Sequence, residues 1–448
     1  MKKYFITITL LIFPFLIPVS AQKIDINSAV SVAGFYSGED TLPFWIFSNQ
    51  NGAFSSKTEL FASLQSNLIY SLNETSQLEV KASIFVRDGV EDEFQRDELF
   101  VKYTNKWLGL TLGSEHSEVR FNGLSTVNDN FLLSGNSRAF PGLIAEANKP
   151  FKLSNKFEID WAIAHYELND DRFVDNTLLH YKRLHFIWNI NLKNKLQIGV
   201  EHYAQWGGTS PELGKQPSSF GDFIDVFFAK KASDGASSGD TINALGNHLG
   251  IINFEYTLTP SSGKFVFYYQ HPFEDGSGTR FANVPDGIWG FYFEPNTTDF
   301  TTFVKGVLLE YVDTSDQSGR RNDSRGRDNY FNSGVYRSGW TYENNIIGLP
   351  FITQDPSGLR ISNNRVKAIH IGVAASQKKW SFLAKTSFVQ NLGTFGNPIS
   401  PVQKIVYSYL QSNYTHEKYG KFTLHLGVDF GKQIRSNYGA GLQYTYSF

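Results

Sequence analysis

The last ten residues, Gly439–Phe448, read GAGLQYTYSF and end on an aromatic side chain. In an extended chain, Ala440, Leu442, Tyr444, Tyr446 and Phe448 share one face, while small and polar residues occupy the other. A soluble sheet can alternate in this way but has no reason to end on an aromatic strand. A bacterial outer-membrane barrel does, because its final strand closes against the first with one face in lipid and one in the lumen. We therefore expect Gly439–Phe448 to be a closing strand, and Phe448 to be read by the barrel-assembly machinery.

The amino terminus predicts export. Lys2 and Lys3 precede an apolar run over residues 5–19, and Val19-Ser20-Ala21 offers small residues for cleavage. The alternative is a retained anchor, but the run is short for a membrane span and contains two prolines. We expect residues 1–21 to be a signal peptide and residues 22–448 to form a single outer-membrane domain.

The composition excludes several classes of function. A formal net charge of −2 provides no basic footprint for nucleic acid, and the absence of Cys rules out disulfides and thiolate metal sites. We expect no cofactor and no metal. Mean hydropathy is −0.28 and aromatic residues make up 15% of the chain, as expected where only alternate residues touch lipid.

Alternating segments recur along the whole chain, and we count roughly 16–18 of them, each near the length of a tilted membrane-spanning strand. The clearest are 60–72, 78–86, 157–163, 184–190, 196–200, 380–388 and 422–430. A two-layer sandwich would show the same alternation, but this number is too large for one ordinary sandwich. The predicted fold is all-β, a transmembrane antiparallel β-barrel.

Four stretches interrupt the alternation, at residues 113–142, 207–247, 271–302 and 313–365. Long loops that alternate with short turns are typical of outer-membrane barrels, whose long loops face outward. Disordered linkers are the alternative, but the Trp and Phe content of these stretches argues against it.

These loops carry the motifs by which the chain resembles a known family. The motifs are Gln205-Trp206-Gly207-Gly208, Gly246–Gly250, Tyr269–Gly278, Asp286–Gly290, Gly326–Asn332 and Tyr336–Trp340. In them the chain resembles the capsule-assembly Wzi family, in its Bacteroidetes-type form, over most of the mature length. The resemblance implies a monomeric barrel of about eighteen strands with extracellular loops and a small periplasmic helical element. In this chain residues 212–231 or 22–31 could host that element.

The resemblance also implies a lectin that attaches capsular polysaccharide or exopolysaccharide to the cell surface without catalysis. Lipids or lipopolysaccharide of the outer membrane would be further partners. His202, His271, His370 and Ser387 show no spacing that forms a hydrolase motif, so we expect no enzyme.

The first group of candidate ligand residues is His271, Glu274 and Asp275. Carboxylates accept hydrogen bonds from sugar hydroxyls or bind a cation that prefers oxygen ligands. The Asp-Gly-Ser-Gly sequence that begins at Asp275 is equally ordinary turn chemistry.

The second group lies in the following loops. Arg327 and Asp328 could belong to a basic rim that grips acidic polysaccharide, to a network of salt bridges, or to a site for lipopolysaccharide phosphates. Trp289, Tyr330 and Trp340 could stack on sugar rings, or could be girdle or loop-core residues. The remaining candidates from the shared motifs are Asn329 and Arg337.

Two functions follow from these observations. In the first, loops 207–247, 271–302 and 313–365 form a cap that plugs the lumen and binds polysaccharide. In the second, the chain is a diffusion porin with an open lumen, for which charged inward faces are equally expected.

Overall fold

The computed structural model describes residues 24–231, 244–274, 276–296, 303–317 and 329–448. The expected signal peptide, residues 1–21, lies outside these ranges. In chain order the strands are β1 (Ile24–Ser37), β2 (Leu60–Asn73), β3 (Ser76–Arg87), β4 (Phe94–Thr104), β5 (Leu108–Ser114), β6 (Gly142–Ala147), β7 (Phe151–Lys152), β8 (Phe157–Leu168), β9 (Thr177–Asn191), β10 (Asn194–Trp206), β11 (Thr209–Ser210), β12 (Gly214–Lys215), β13 (Asn247–Leu258), β14 (Gly263–Phe273), β15 (Gly287–Pro295), β16 (Val304–Asp313), β17 (Thr341–Tyr342), β18 (Asn345–Ile346), β19 (Thr353–Gln354), β20 (Ile361–Asn363), β21 (Val366–Gln377), β22 (Trp380–Gly393), β23 (Pro398–His416), β24 (Gly420–Gly431) and β25 (Asn437–Ser447).

Eighteen of these strands, all within the described residues, form one closed antiparallel barrel. They are β1–β6, β8–β10, β13–β16 and β21–β25, and the two-residue β7 adds a short pairing alongside β8. The remaining strands form three small hairpins in the loops. The predicted fold class is confirmed.

The carboxy-terminal strand closes the barrel, as the alternation in Gly439–Phe448 predicts. β1 pairs with β2 on one side and with β25 on the other, in register from Ala29 opposite Ser447 to Ser37 opposite Gly439. Ser28 and Phe448 exchange two backbone hydrogen bonds of 3.1 and 2.9 Å. The barrel therefore leaves no free strand edge between its first and last strands.

The side chains alternate as a membrane barrel requires. Large apolar residues such as Leu60 and Leu442 are exposed on the outer face, where lipid covers them. The inner face of the same wall buries residues such as Phe85, Tyr203 and Ile288. An apolar core thus lies inside the barrel, packed against loops that enter the lumen.

The two ends of the barrel differ. The start of β1, the carboxy-terminal end of β25 and the short turns, such as residues 74–75, 192–193 and 378–379, lie at one end, which we call the turn end. The long connections, residues 38–59, 115–141, 207–246 and 314–365, start from and return to strands at the opposite end, the loop end. This is the asymmetry of an outer-membrane barrel.

Two expectations need correction. The interval 271–302 is not one loop, because it contains strand β15 and the loop-end connection is only 274–286. Inward Ile288 and Tyr292 are apolar like their outward neighbours, which hides the alternation of β15 in the sequence.

The helical element was expected on the periplasmic side of the barrel, but the helices lie at the loop end. The helices α1 (Phe44–Phe47), α2 (Phe220–Phe227) and α3 (Gly276–Thr279), and a 3₁₀ turn at Phe121–Gly123, lie in loop-end connections of the described chain. α2 does fall within residues 212–231, but at the loop end instead of the periplasmic turn end, while residues 24–31 belong to β1. None of the helices in the described ranges has the length and apolar character that a membrane-spanning helix needs.

Candidate functional site

Residues 115–141, which we call the plug loop, descend from the loop end through the lumen almost to the turn end. Phe121 stacks on inward Tyr268 with ring centroids 5.1 Å apart and packs against Tyr292 at 4.9 Å. The Asn122 side chain donates to the Tyr292 hydroxyl (2.8 Å) and to the carbonyl of Lys305, close to the turn end of β16. The loop therefore runs through most of the barrel height.

A buried wall carboxylate anchors the middle of the plug loop. Glu310 accepts hydrogen bonds from the Ser125 hydroxyl (2.6 Å) and from the Thr126 amide (2.9 Å) and hydroxyl (2.6 Å). Tyr268 on β14, two strands away from Glu310 on β16, donates to the same carboxylate (2.5 Å). Since hydrogen bonds to a charged acceptor are the strong ones, this carboxylate joins plug to wall.

The segment 38–59 fills a second part of the lumen. Its short helix α1 buries Trp45 and Ile46 against the inner wall. Phe44 stacks on Tyr407 at 4.3 Å, and its amide donates to Asp429 (2.8 Å). The aromatic run at residues 44–47 thus serves interior packing.

Residues 329–365, which we call the cap loop, cross above the plug. Trp340 is fully buried, donates from its indole nitrogen to the Leu132 carbonyl (2.7 Å) and packs edge-on against Tyr203. The Ser134 amide and hydroxyl donate to the carbonyls of Ile347 (3.0 Å) and Gly348 (2.7 Å). Plug and cap therefore form one packed unit that fills the loop-end half of the lumen.

The first predicted group forms part of the support of this unit. His271 is buried, with Nε2 donating to the Gly278 carbonyl (2.8 Å) and its ring stacked on Phe281 at 4.5 Å. Glu274 accepts from the Phe331 amide (2.9 Å) and so ties the 274–286 connection to the cap loop. Asp275 lies outside the described residues.

The aromatic candidates occupy girdle and loop-core positions, which were the alternatives to stacking on sugar rings. Trp289 lies on the lipid-facing wall and stacks on Tyr269 at 3.8 Å, as a girdle residue does. Tyr330 and Trp340 are buried in the loop core, with no ring face open to a ligand. Among the other candidates, Arg327 and Asp328 lie outside the described residues.

Asp286 is the electrostatic centre beneath the cap. Its carboxylate accepts from the amides of Asp316 (2.9 Å) and Gln317 (2.5 Å) and from the Tyr330 hydroxyl (3.1 Å). Burial raises the pKa of Asp286 to about 7, and the nearby Asp313 carboxylate adds to the rise. Burial, followed by the Asp286 charge, also raises the pKa of Tyr330 well above its usual value.

The remaining two candidates reach the surface. Asn329 is exposed, and its side-chain oxygen accepts from Asn332 and Asn364. Arg337 keeps 34% of its side chain exposed and makes a bidentate pair with Glu212, with nitrogen–oxygen distances of 2.7 and 2.5 Å. The Arg337 guanidinium also lies 4.7 Å from the centre of the Phe173 ring.

Arg337, Glu212 and Phe173 form a group that we call the rim triad, in which Glu212 is exposed and Arg337 and Phe173 are half-buried. Arg337 is one of the residues predicted from sequence, but its partners Glu212 and Phe173 are not, because they come from different loops and no local motif joins them. A guanidinium over an aromatic ring, held by an exchangeable carboxylate, can receive a uronate or another anionic sugar.

A charged cavity of about 810 Å³ remains beside the plug loop, between it and the barrel wall. Its ions are paired with each other: Lys102 with Glu115 (2.8 Å), Arg183 with Asp160 (3.0 Å) and Arg120 with Glu255 (2.8 Å). These contacts identify the lining of the cavity as a lumen network of ion pairs.

Two further clusters contain side chains of the kinds used in metal binding or catalysis. Asp97, Glu98 and His116 lie close enough for a metal ion, but Asp97 already pairs with His116 (2.7 Å) and Glu98 with Lys81. His370 accepts from the Ser387 hydroxyl (2.7 Å) and donates to the Leu124 carbonyl (2.8 Å). His370 and Ser387 are fully buried, and the Trp45 indole donates to the same hydroxyl, so this pair holds α1 and plug together.

Comparisons with known proteins agree with this architecture. The family model described as capsule assembly protein Wzi matches residues 45–354. The solved structure described as Wzi, an outer membrane protein involved in group 1 capsule assembly in Escherichia coli and a carbohydrate-binding β-barrel, aligns with a TM-score of 0.63 and 14% identity over 93% of this chain and 83% of that one. OccK3 of Pseudomonas aeruginosa aligns with a TM-score of 0.51 and 11% identity, over 95% and 96%. No protein with a curated description matches the chain. At such identities the structural matches establish the fold alone.

Proposed function

Because this chain belongs to the capsule assembly protein Wzi family, we propose that it is a non-catalytic lectin that holds capsular polysaccharide or exopolysaccharide at the outer-membrane surface. The observation that carries the proposal is the packed unit of plug and cap, which occupies the lumen where a porin would leave a channel. The Escherichia coli Wzi barrel is described as carbohydrate-binding, which supports the same ligand class here.

The rim triad is the part of the cap surface best suited to an acidic polymer. A carboxylate on the sugar would replace Glu212 as the partner of Arg337, and the Phe173 ring would offer an apolar platform beside it. Each such contact is exposed and therefore weak. Retention would come from many repeats of the polymer meeting the rims of many barrels in the same membrane.

The experiment measures binding of the purified barrel, in detergent, to immobilised polysaccharide from its own host. Glu212→Gln frees Arg337 from its competitor and should strengthen binding of an acidic polymer, whereas Arg337→Gln should weaken it several-fold. The matched control is Arg435→Gln, since Arg435 is a more exposed rim arginine that is 3.9 Å from Glu39. Equal effects from the Arg337 and Arg435 variants would reject the rim triad, and absence of any binding by the wild type would reject the lectin.

A second experiment addresses the predicted residues outside the described ranges. The double variant Arg327→Ala, Asp328→Ala should lower the cell-bound fraction of polysaccharide without lowering the yield of folded barrel. Misassembly of this variant would assign the pair a structural role. An unchanged cell-bound fraction after deletion of the whole gene, in a strain that makes capsule, would contradict the function itself.

The proposal also covers the remaining partners. Recognition of β25 and Phe448 by the assembly machinery is supported by the exposed, lipid-facing position of Phe448. We also propose a monomer, since pairing of β1 with β25 completes the barrel within one chain and requires no second copy. Absence of catalysis is supported by the burial of the His370–Ser387 pair beneath the plug.

A further inference from the structure

Helix α2 lies against the outside of the barrel wall. The centre of its Phe223 ring is 5.3 Å from that of His180 on β9 and 5.9 Å from that of Trp206 on β10. Along these strands, His180 points the same way as Phe186, and Trp206 the same way as Val200. Phe186 and Val200 are exposed on the lipid-facing side. The helix therefore packs on the outer face of the wall and not over the lumen.

The height of α2 corresponds to the outer edge of the membrane. The apolar belt of an outer-membrane barrel is about 25 Å tall and takes about ten residues of a strand tilted by about 40°. Measured along β9 from Ile190 near the turn end, that length ends at Tyr181. The outward residue at this height is Lys182, whose ammonium donates to the Phe227 carbonyl at the end of α2. The helix therefore lies where the acyl chains of the outer leaflet meet the head groups.

The contacts of two adjacent residues fix how α2 is turned. Val226 is buried in a cluster with Trp206, the last residue of β10 at the loop end. Phe227 has the Lys182 ammonium 4.6 Å from its ring centre. Cross-strand pairing places Lys182 opposite His202, which lies well below Trp206 on β10. The Phe227 side of α2 therefore faces the turn end, and with it the membrane.

The two edges of α2 differ in polarity. With about 100° between successive residues of a helix, Phe220 and Ile224 share the side of Phe227. The opposite side carries Asp222 and Asp225. Phe220 keeps 79% of its surface exposed. An apolar edge towards the membrane and an acidic edge towards the external medium are typical of a helix that lies in the membrane interface.

Lysines surround the carboxy-terminal end of this helix. Lys230 and Lys231 follow it closely and are both exposed. The Lys230 ammonium is 5.4 Å from the centre of the Phe228 ring, and Phe228 is 62% exposed. Together with Lys182, these residues place three ammonium groups beside exposed aromatic surface at the level of the head groups. Lipopolysaccharide offers the complement, because it carries acyl chains and phosphates on one molecule and Lys pairs with phosphate as a point charge.

We propose that α2 and the residues after it form a docking surface for lipopolysaccharide of the outer leaflet. The acyl chains of the lipid cover Phe220 and Phe228. Its phosphates pair with Lys230 and Lys231. The bound lipid holds the 207–246 connection, which carries one member of the rim triad, against the membrane. This surface depends on the outer-membrane location of the chain and not on polysaccharide binding.

The test uses the full-length barrel, purified from membranes and freed of lipid by detergent exchange. It is titrated with rough lipopolysaccharide, which lacks a long polymer, and binding is counted by native mass spectrometry. Each lysine near a charged membrane surface contributes about fivefold in affinity, so Lys230→Gln with Lys231→Gln should weaken binding by about 30-fold. The matched control is Lys378→Gln with Lys379→Gln, an adjacent pair of exposed lysines at the turn end, which should bind as the wild type does.

A dephosphorylated form of the same lipopolysaccharide separates the phosphate contacts from the acyl contacts. The wild type should bind this form about 30-fold more weakly than the phosphorylated one, whereas the Lys230→Gln, Lys231→Gln variant should bind both forms alike. Phe220→Ser with Phe228→Ser should weaken the binding of both forms. Equal affinity of the wild type for the two forms, or a lysine variant that binds as tightly as the wild type, would overturn the proposal.

A second measurement locates the helix without relying on affinity. The chain contains no Cys, so Phe220→Cys and Asp225→Cys can each carry a single spin label in barrels reconstituted into vesicles that contain rough lipopolysaccharide. Oxygen dissolved in the acyl chains should relax the label at position 220, and a water-soluble nickel complex should relax the label at position 225. A label at position 220 that only the nickel complex reaches, or that neither reagent reaches, contradicts a lipid-covered edge. Neither experiment contains capsular polymer, so their outcomes are separate from those of the lectin test.

Discussion

Replacing Glu310 with Ala should open the barrel without unfolding it. Glu310 is the wall carboxylate to which Ser125, Thr126 and Tyr268 donate four hydrogen bonds of 2.5 to 2.9 Å. Hydrogen bonds to a charged group contribute about 1.5–3 kcal/mol each, but the freed hydroxyls can turn to lumen water, so the four contributions do not add. We expect a loss of about 3–5 kcal/mol in the docking of the plug loop. That change raises the undocked population by about two to four orders of magnitude.

The assay is single-channel recording in planar bilayers. The wild type should be silent, and Glu310→Ala should show brief openings because the plug loop leaves the lumen part of the time. Glu310→Gln keeps one acceptor oxygen and should open less often. The matched control is Glu79→Ala, since Glu79 is another wall glutamate but accepts from Asn67 on the neighbouring strand, away from the plug.

The barrel itself should survive this change, because the strand pairing does not involve the carboxylate. Heat-modifiable migration on gels should therefore match that of the wild type. A folded Glu310→Ala barrel that stays as silent as the wild type would show that Glu310 does not hold the plug. Large, stable currents through the wild type would refute the closed lumen and restore the porin.

Three further substitutions test the cap and its surroundings. Trp340→Ala removes a fully buried indole and its bond to the Leu132 carbonyl, so the cap should loosen by about 3–5 kcal/mol, seen as faster proteolysis within residues 329–365 of an otherwise folded barrel. Because the fold raises the pKa of Asp286 to about 7, the stability that its protonated form contributes is present at pH 4 and is lost as pH rises through 7, a total of about 4 kcal/mol. Hydrogen exchange in residues 276–286, corrected for intrinsic rates, should therefore be faster at pH 8 than at pH 5 in the wild type. The two rates should be equal in Asp286→Asn. Gly208 has φ of +83° and a Cβ there would lie 2.6 Å from the Asp175 carbonyl oxygen, so Gly208→Ala should cost about 2 kcal/mol or more and lower the temperature of heat modification, whereas Gly214→Ala, with φ of +72° but open space around it, should cost less.

The barrel wall was predictable from sequence because lipid imposes one rule on every outward position. Alternation is clearest where the inner face is polar, as in β24, where Thr423 and His425 oppose Phe422 and Leu424. It failed at β15, since the inward Ile288 and Tyr292 pack on the plug loop and are as apolar as their outward neighbours.

The interior could not be predicted in the same way. Residues 115–141 were recognised as a long loop, but their descent into the lumen depends on contacts with Glu310, Tyr268 and Gln270, which lie more than 120 residues away in sequence. The family motifs marked residues such as Tyr330 and Trp340 that hold the loops together, while an exposed surface like the rim triad carries no such local pattern.

One feature of the sequence could have predicted where α2 packs: polar residues on an otherwise apolar strand face. The lipid-facing side of β8, β9 and β10 is apolar except near the loop end of each strand. The polar residues there are His165, His180, Lys182 and His202. Polar residues on a lipid-facing wall are costly unless something covers them. Helix α2 is that cover, and its amphipathic sequence lies in the connection that follows β10.

The packed interior also bears on how such a barrel binds a polymer. An open barrel of this strand number would enclose a water-filled channel, and its inward Phe85, Tyr203 and Ile288 would be exposed to that water. Plug and cap bury these side chains, so the energy that closes the lumen also fixes the loops that form the outer surface. A surface ordered in advance loses less entropy when a ligand binds, which matters most where each contact is weak. Glu310→Ala should therefore weaken polysaccharide binding as well as open the channel, although Glu310 is fully buried and cannot touch the polymer.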